Sequence, residues 1–271
     1  MARDDVLIST DALDALDDVD LLDVRWRLGE PAGAGRERYL AGHLPGARFL
    51  DLEAVLTRHG EPTDGRHPLP DVDTLEEGLG ALGVSGDRLV VVYDEAGSFA
   101  AARAWWVLRW AGLDVRVLDG GVDAWTAQGR PLSEGDPVVE PVALLLTLGH
   151  LPTIDADRAA SFEGTLVDAR APERFRGEFE PIDPVAGHIP GAVNVPVGQF
   201  FDDGRLPDDA RLRQLLDQEG PLAAYCGSGV SAAQLVLAAA AIDLPVALYP
   251  GSWSAWSNDP ARPVATGSAE S

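Results

Sequence analysis

AGHLPGARFL (41–50) and AGHIPGAVNV (186–195) are two similar stretches, identical at six of their ten positions and 145 positions apart in a chain of 271 residues. Three further pairs keep the same order in both halves: LLDVRW (21–26) with LVDARA (166–171), VVYDEAGSFAA (91–101) with AAYCGSGVSAA (223–233), and LDGGVDAWTAQGRP (118–131) with YPGSWSAWSNDPARP (249–263). Four matches in one order indicate that the chain is a tandem duplication.

Each half alternates strand and helix patterns. Short apolar runs such as LVVVY (89–93) and PLAAY (221–225) predict strands, whereas SFAAARAWWVLRWAG (98–112) and SAAQLVLAAAAI (231–242) predict helices. Strands that are apolar on both faces and alternate with helices imply a parallel sheet covered on both sides. We therefore predict an α/β protein of two similar domains, each a mainly parallel sheet flanked by helices.

The join between the two halves is placed where the periodicity breaks, at PVVEP (137–141) and at the Leu-Pro pair 151–152. The predicted N-terminal domain is 1–135, the linker is 136–152, and the C-terminal domain is 153–271.

The composition restricts the classes of function. The net charge of −23 argues against nucleic acid as a partner, because phosphates would be repelled. All 21 basic residues are arginine, so anion recognition depends on arginine, backbone N–H groups or helix ends. One cysteine excludes internal disulfides, the five histidines lack ligand spacing, and no metal or cofactor is predicted. No apolar run is long enough for a bilayer and no secretory signal is present, so we expect a soluble, cytoplasmic protein without a membrane partner.

The only cysteine, Cys226, follows a predicted strand and begins the loop CGSGVS. Ligands of parallel sheets bind beyond the carboxyl ends of the strands. Gly227 and Gly229 allow backbone N–H groups to point inward, and a helix expected to begin near Ser231 or Ala232 adds its positive end. This surrounding charge favours an anionic sulfur nucleophile. A cysteine at a strand tip among glycines is also expected to have little packing around it.

The N-terminal half has Asp94 opposite Cys226 and Phe99 opposite Ser231. That half cannot form a cysteine adduct, so its predicted role is structural. His43 and His188 occur in both halves and are expected to bond backbone groups rather than to catalyse. Asp23 and Asp168 are expected to share a scaffold role for the same reason.

These motifs resemble the rhodanese family of sulfurtransferases in its tandem two-domain form, over roughly 6–263. The loop CGSGVSA (226–232) is similar to that of the 3-mercaptopyruvate sulfurtransferase branch. The resemblance implies that the cysteine takes a sulfane sulfur from a small-molecule donor, holds it as a persulfide, and passes it to an acceptor. Cyanide, a small thiol or a thioredoxin-like protein are the acceptors expected.

The resemblance also implies the site residues. Arg174 matches the arginine that binds the donor carboxylate, but Ile182 stands where the branch usually has a second arginine. Gly227, Gly229, Val230, Ser231 and Ala232 would supply the N–H groups around the persulfide. Glu53 and His67 match the acid and the histidine that the branch uses from its first half. The hydroxyl of Ser228 is expected to donate to the carbonyl or the leaving group of the donor, and Trp253 is expected to line the pocket. Arg170 and Arg176 are expected to be surface or domain-tying residues.

Three alternatives stay open. Thiosulfate could be the donor, although that branch typically has bulky or basic residues directly after its cysteine. The chain could carry sulfur or bind partners without turnover. A cysteine-dependent phosphatase is disfavoured, because its loop ends with an arginine where this chain has Ser231 and Ala232.

Overall fold

A computed structural model describes residues 1–95, 99–201 and 204–268. The chain forms two compact units. Unit 1 comprises Met1–Arg58, Leu69–Leu151 and Asp202–Leu206, and unit 2 comprises His59–Pro68, Pro152–Phe201 and Pro207–Ser271. The units follow the two sequence halves with two exceptions: the ten-residue segment His59–Pro68 belongs to unit 2, and Asp202–Leu206 belongs to unit 1.

Unit 1 contains a five-stranded parallel sheet with the order β1-β5-β4-β2-β3. Its strands are β1 (Leu7–Ile8), β2 (Val19–Asp23), β3 (Arg48–Phe49), β4 (Leu89–Tyr93) and β5 (Val115–Leu118). Its helices are α1 (Arg3–Val6), α2 (Thr10–Asp14), α3 (Ala34–Ala41), α4 (Leu52–Val55), α5 (Val72–Ala81), α6 (Phe99–Trp110) and α7 (Gly121–Ala127). The β4 strand is central and its last four residues are buried, as an apolar run covered on both faces requires.

Unit 2 repeats this arrangement with a four-stranded parallel sheet of order β7-β6-β8-β9. Its strands are β6 (Thr165–Asp168), β7 (Val193–Asn194), β8 (Leu222–Tyr225) and β9 (Val246–Leu248). Its helices are α8 (Ala156–Ala160), α9 (Pro172–Phe175), α10 (Asp209–Leu215), α11 (Val230–Ala240) and α12 (Ser252–Ser257), with 3-10 turns at Pro62–Asp64 and Val197–Gln199. Thr153 bridges Leu248 in parallel and takes the place that β1 has in unit 1.

The predicted α/β class and the parallel sheets are confirmed, and the quoted strand patterns lie on β4 and β8. The helix predicted over 98–112 is α6, with Ser98 outside the described residues. The helix expected to begin near Ser231 begins at Val230, because Gly229 precedes it with a positive φ of 80°. Within the described residues, no helix is long and apolar enough to cross a membrane.

Each unit has a buried acid–arginine pair at the end of one strand, β2 in unit 1 and β6 in unit 2. Arg25 donates to both carboxylate oxygens of Asp23 at 2.8–3.1 Å, and Arg170 does the same to Asp168 at 2.6–3.1 Å. All four residues are buried. The scaffold role expected for the two aspartates is therefore confirmed. Of the two alternatives given for Arg170, a surface or a domain-tying residue, the surface position is wrong. A charge this deep requires a bidentate partner, and Asp168 supplies it.

The two histidines of the repeated turns bind backbone oxygens, as expected. Nδ1 of His43 lies 2.9 Å from the carbonyl oxygen of Tyr39, and Nδ1 of His188 lies 2.7 Å from that of Phe175. Each imidazole also stacks on the ring of the same partner, with centroids 4.1 and 3.7 Å apart. Both histidines are thus parts of the scaffold.

Candidate active site

Cys226 lies directly after β8, at the carboxyl edge of the unit 2 sheet. The N–H of Gly229 donates to Sγ of Cys226 at 3.1 Å, which realises one member of the ring of N–H groups expected from 227–232. Gly229 can do so because its φ of 80° is open to glycine and turns the chain into α11. The hydrogen bond and the helix start both place positive charge near the sulfur.

The cysteine is 1% exposed, so the expectation that little would pack around it is wrong. Its backbone is held by the first turn of α12. The Cys226 N–H donates to Oγ of Ser252 at 3.1 Å, and the Cys226 carbonyl accepts from the N–H of Trp253 at 2.9 Å. The next carbonyl, that of Gly227, accepts from the N–H of Ser254 at 2.8 Å. The loop is therefore fixed on both sides of the sulfur.

Ser252 holds an unusual backbone conformation. Its φ is 54°, a region that residues with a side chain rarely occupy. Its hydroxyl donates to the carbonyl of Tyr249 at 2.9 Å while it accepts from Cys226, and the residue is fully buried. The strain is maintained where a side chain is needed to bind the backbone of the cysteine.

Ser228 and His67 are brought together within unit 2. Nδ1 of His67 lies 2.8 Å from Oγ of Ser228, and both side chains are buried. His67 belongs to the segment His59–Pro68, which is 161 positions from Ser228 in sequence. A histidine bound to a hydroxyl two residues after the cysteine can accept or return a proton at that point of the loop.

Arg174, on α9, points toward the same loop. A Cβ built on Gly227 would lie 3.4 Å from Nη1 of Arg174. Glu180 accepts from Nε and Nη2 of Arg174 at 3.1 and 2.6 Å, and Asp183 accepts from Nη2 at 3.0 Å. These bonds use Nε and Nη2, whereas Nη1 is the guanidinium nitrogen nearest to the Cβ position of Gly227.

The two acids beside Arg174 are shifted in opposite directions. Burial opposes the charge of Glu180, but the bonds from Arg174 and from the N–H groups of Asp183 and Ile182 outweigh it and lower the pKa of Glu180. Burial raises the pKa of Asp183, and the charges of Arg66 and Arg174 offset only part of that effect.

Arg66 is a residue that the sequence pattern did not single out. It pairs with Asp183, and its Nη2 lies 3.1 Å from the point where a Cβ on Gly227 would stand. Ile182, in contrast, is 42% exposed and contributes its N–H to Glu180. No local signal marks Arg66, since its position depends on contacts with residues more than a hundred positions away.

Other predicted residues have clear places. Val230 and Ala232 are buried in the first turn of α11, and Ser231 between them is partly exposed. Trp253 is fully buried, and the Arg170 guanidinium lies 4.6 Å from its ring centroid. Its side chain therefore packs against Arg170 in the core, and its expected place in the pocket stays a prediction.

Glu53 lies on α4 of unit 1, where it is exposed and accepts from Nε1 of Trp26 at 2.9 Å. Its expected part in catalysis stays a prediction. Arg176 is partly exposed and paired with Glu178, as a surface residue would be. Among the described residues, no group of three or more His, Cys, Asp or Glu side chains is placed to hold a metal ion.

Comparison with known proteins agrees with this geometry. The "Rhodanese-like domain" family matches residues 9–128 and 154–259. A relative from Mycobacterium tuberculosis, named "Putative thiosulfate sulfurtransferase SseB", is 47% identical over 99% of both chains. The "Probable 3-mercaptopyruvate sulfurtransferase" of Pseudomonas aeruginosa is 43% identical over 92% of this chain and 93% of its own.

A solved structure extends the comparison to three dimensions. SseA from Escherichia coli, described as a 3-mercaptopyruvate sulfotransferase, superposes with a TM-score of 0.81 at 32% identity, over 91% of this chain and 98% of its own. The two matched regions coincide with the two halves of the duplication, and the second contains Cys226. The chain belongs to the rhodanese family.

Proposed function

We propose that this protein is a sulfurtransferase that moves a sulfane sulfur from 3-mercaptopyruvate to a thiol or cyanide, through a persulfide on Cys226. The observation that carries the proposal is the Cys226 sulfur itself, which accepts the Gly229 N–H while the hydrogen-bonded pair of Ser228 and His67 stands two residues away. The names of the relatives from Pseudomonas aeruginosa and Escherichia coli support this donor.

The first half-reaction forms a sulfur–sulfur bond. The Cys226 thiolate attacks the donor sulfur, the donor's carbon–sulfur bond breaks, and its electron pair goes to carbon as the enolate of pyruvate. The proton of the donor thiol is transferred to that enolate, so the products are pyruvate and the Cys226 persulfide anion. The N–H of Gly229 and the start of α11 stabilise the anion near the sulfur.

Ser228 and His67 act on the proton in this step. Their bond of 2.8 Å lets the imidazole accept the thiol proton by way of the hydroxyl and return it to the enolate. Arg174 binds the donor carboxylate with the guanidinium edge that faces Gly227. Glu53 is retained as a candidate partner in catalysis, on the resemblance alone.

The second half-reaction restores the enzyme. A thiolate or cyanide attacks the outer sulfur of the persulfide, the sulfur–sulfur bond breaks, and Cys226 leaves as a thiolate. Since the chain has no second cysteine to resolve the persulfide internally, the acceptor is external. A small thiol or a thioredoxin-like protein fits this role, in a cytoplasm where thiols are kept reduced.

Thiosulfate as the donor is the second candidate, and a specific observation favours it. The relative named a thiosulfate sulfurtransferase is 47% identical, more than the relative named for 3-mercaptopyruvate at 43%. One feature argues against thiosulfate: the two residues directly after the cysteine, Gly227 and Ser228, are neither bulky nor basic.

The test compares sulfur transfer to cyanide from 3-mercaptopyruvate and from thiosulfate, with Cys226→Ser as the control. We expect kcat/KM for 3-mercaptopyruvate to exceed that for thiosulfate by about 100-fold or more, and Cys226→Ser to lower both by at least about 1000-fold. A preference for thiosulfate would reject the assigned donor. If neither donor supported sulfur transfer, the assignment as an enzyme would be rejected and a sulfur carrier would be favoured.

A further inference from the structure

Two separate stretches of chain supply the groups that act beside Cys226. Ser228 lies in the loop after β8, and His67 lies in the segment His59–Pro68, which comes from the first half of the sequence. The 2.8 Å between Oγ of Ser228 and Nδ1 of His67 therefore depends on how these two stretches are held against each other. Both stretches are hydrogen-bonded to α12.

One residue in the first turn of α12, Ser254, binds both stretches. Its N–H donates at 2.8 Å to the carbonyl of Gly227, the residue next to the nucleophile. Its Oγ accepts at 3.1 Å from the N–H of Arg66, the residue before the histidine, and donates at 3.1 Å to the Gly251 carbonyl. Ser254 is fully buried. The backbone of this serine thus holds the reactive loop, and its hydroxyl holds the histidine segment.

The histidine segment approaches α12 so closely that a glycine is required. Gly65 has a φ of 93°, and a Cβ there would lie 2.7 Å from the carbonyl oxygen of Gly251 and 3.0 Å from Oγ of Ser254. On the other side, Pro68 restricts the backbone of His67 to extended conformations. Since the backbone is limited at both ends, the hydrogen bond that Oγ of Ser254 accepts sets where the imidazole stands.

We infer that Ser254 is a positioning residue for sulfur transfer: its hydroxyl holds the segment His59–Pro68 against α12 and thereby brings His67 to Ser228. The inference rests on the proposed function, in which that pair moves the proton of the donor thiol. Persulfide formation needs this proton transfer. The attack of cyanide on the persulfide needs none, and depends on the sulfur and its loop. The hydroxyl of Ser254 should therefore matter for the first half-reaction and not for the second.

The first test follows the two half-reactions separately in Ser254→Ala. The substitution removes Oγ and keeps the N–H that binds Gly227, so the reactive loop retains its own bond to α12. Pyruvate release in a single turnover with 3-mercaptopyruvate reports the first half-reaction, and thiocyanate formation from the isolated persulfide reports the second. We expect Ser254→Ala to slow pyruvate release about 10- to 100-fold and to change thiocyanate formation less than about two-fold.

Ser257→Ala is the matched control, because Ser257 lies on the same helix and is buried. Within the described part of the chain, its Oγ makes no hydrogen bond, so both half-reactions should be unchanged. Two results in Ser254→Ala would overturn the inference. An equal loss in the two half-reactions would make Ser254 a structural residue of the reactive loop, and unchanged pyruvate release would show that its hydroxyl does not position His67.

A second variant disturbs the same contact from the other side. In Gly65→Ala, the new Cβ would stand against the Gly251 carbonyl and force the segment away from α12, while Ser254 itself is unaltered. We expect the same pattern, with slower pyruvate release and unchanged thiocyanate formation. Pyruvate release at the native rate would contradict the inference, because the segment would then be displaced without consequence.

The last experiment needs no donor, so it distinguishes failure of this inference from failure of the proposed function. Long-range proton–nitrogen NMR spectra of the imidazoles, assigned from backbone connectivities, report the bond between Nδ1 of His67 and the Ser228 hydroxyl. We expect Ser254→Ala to shift the Nδ1 signal of His67 and to leave that of His188, which binds the Phe175 carbonyl, in place. That shift supports Ser254 even if 3-mercaptopyruvate gives no turnover, an outcome that would reject the donor alone. An unmoved His67 signal would reject Ser254 even if turnover is fast.

Discussion

The loop after β4 in unit 1 and the loop after β8 in unit 2 occupy matching places and do opposite things. In unit 1, one oxygen of Asp94 accepts from the N–H groups of Ala100 and Ala101 at 2.9 and 3.0 Å, so the acid caps its own helix. In unit 2, Cys226 places a sulfur at that position, which accepts from Gly229. The same helix start thus stabilises a fixed carboxylate in one unit and a reactive sulfur in the other.

The residues that surround the two loops have diverged much less. The hydroxyl of Tyr93 accepts from the N–H of Leu44 at 3.0 Å, and that of Tyr225 accepts from Ile189 at 3.1 Å. Together with the acid–arginine pairs and the turn histidines, these bonds define a scaffold present twice. The two copies of the duplication therefore share the scaffold, whereas the reactive group, the thiol of Cys226, is present only in unit 2.

The largest loss of stability is expected when the acid of a buried acid–arginine pair is removed from either unit. Asp168→Ala and Asp23→Ala each leave a buried arginine without its carboxylate, and we expect each to lower the free energy of unfolding by about 3–5 kcal/mol. Asp168→Ala should cost the less of the two, because Arg170 retains Glu180 at 3.3 Å. Denaturant unfolding measures both. A loss below about 1 kcal/mol in either variant would contradict a shared scaffold.

Asp94 gives the stability of unit 1 a dependence on pH. Burial raises the pKa of Asp94 from its ordinary 3.8 to about 7, against the opposing bonds from Ala101 and Ala100. Because the pKa in the folded state is raised, the contribution of Asp94 to stability is complete below the unfolded pKa and is lost as the pH rises through about 7.

Asp94→Asn keeps an oxygen for both N–H groups and removes this dependence. We expect the variant to gain stability over the native chain between about pH 4 and pH 8, by on the order of 3 kcal/mol. The readout is denaturant unfolding at a series of pH values, with Asp17→Asn as an exposed control. If the stability of Asp94→Asn and that of the native chain changed with pH in parallel, the Asp94 carboxylate would not be the cause of the pH dependence.

The smallest expected effect concerns Gly121 and Ser252, which match in the repeat and have φ values of 56° and 54°. A Cβ on Gly121 would lie 2.2 Å from the Asp94 carbonyl oxygen, so Gly121→Ser should cost about 2 kcal/mol or more. Ser252→Gly relieves strain but loses the acceptor of the Cys226 N–H. We expect nearly unchanged stability and about a 10-fold lower kcat; an unchanged kcat would show that the Ser252 hydroxyl does not position the cysteine.

Much of this follows from sequence because the duplication repeats local patterns. The strands, the acid–arginine motif and the cysteine loop are each encoded within a few residues, and the repeat shows which positions changed. Neither the burial of Cys226 nor that of Trp253 could be predicted, because both depend on how α12 packs on the loop. Arg66 and the Ser228–His67 bond depend on a segment that joins unit 2 from the first half of the sequence. The hydrophobic periodicity of the sequence does not indicate such long-range contacts.

The central claim is that the sulfur of Cys226 becomes a persulfide that turns over. The most direct measurement treats the protein with 3-mercaptopyruvate under argon without acceptor, digests it, and determines the mass of the peptide that contains Cys226. The account predicts a gain of one sulfur atom on Cys226, its removal by cyanide, and no gain in Cys226→Ser. Turnover without any modification of Cys226, or a sulfur that cyanide does not remove, would contradict it.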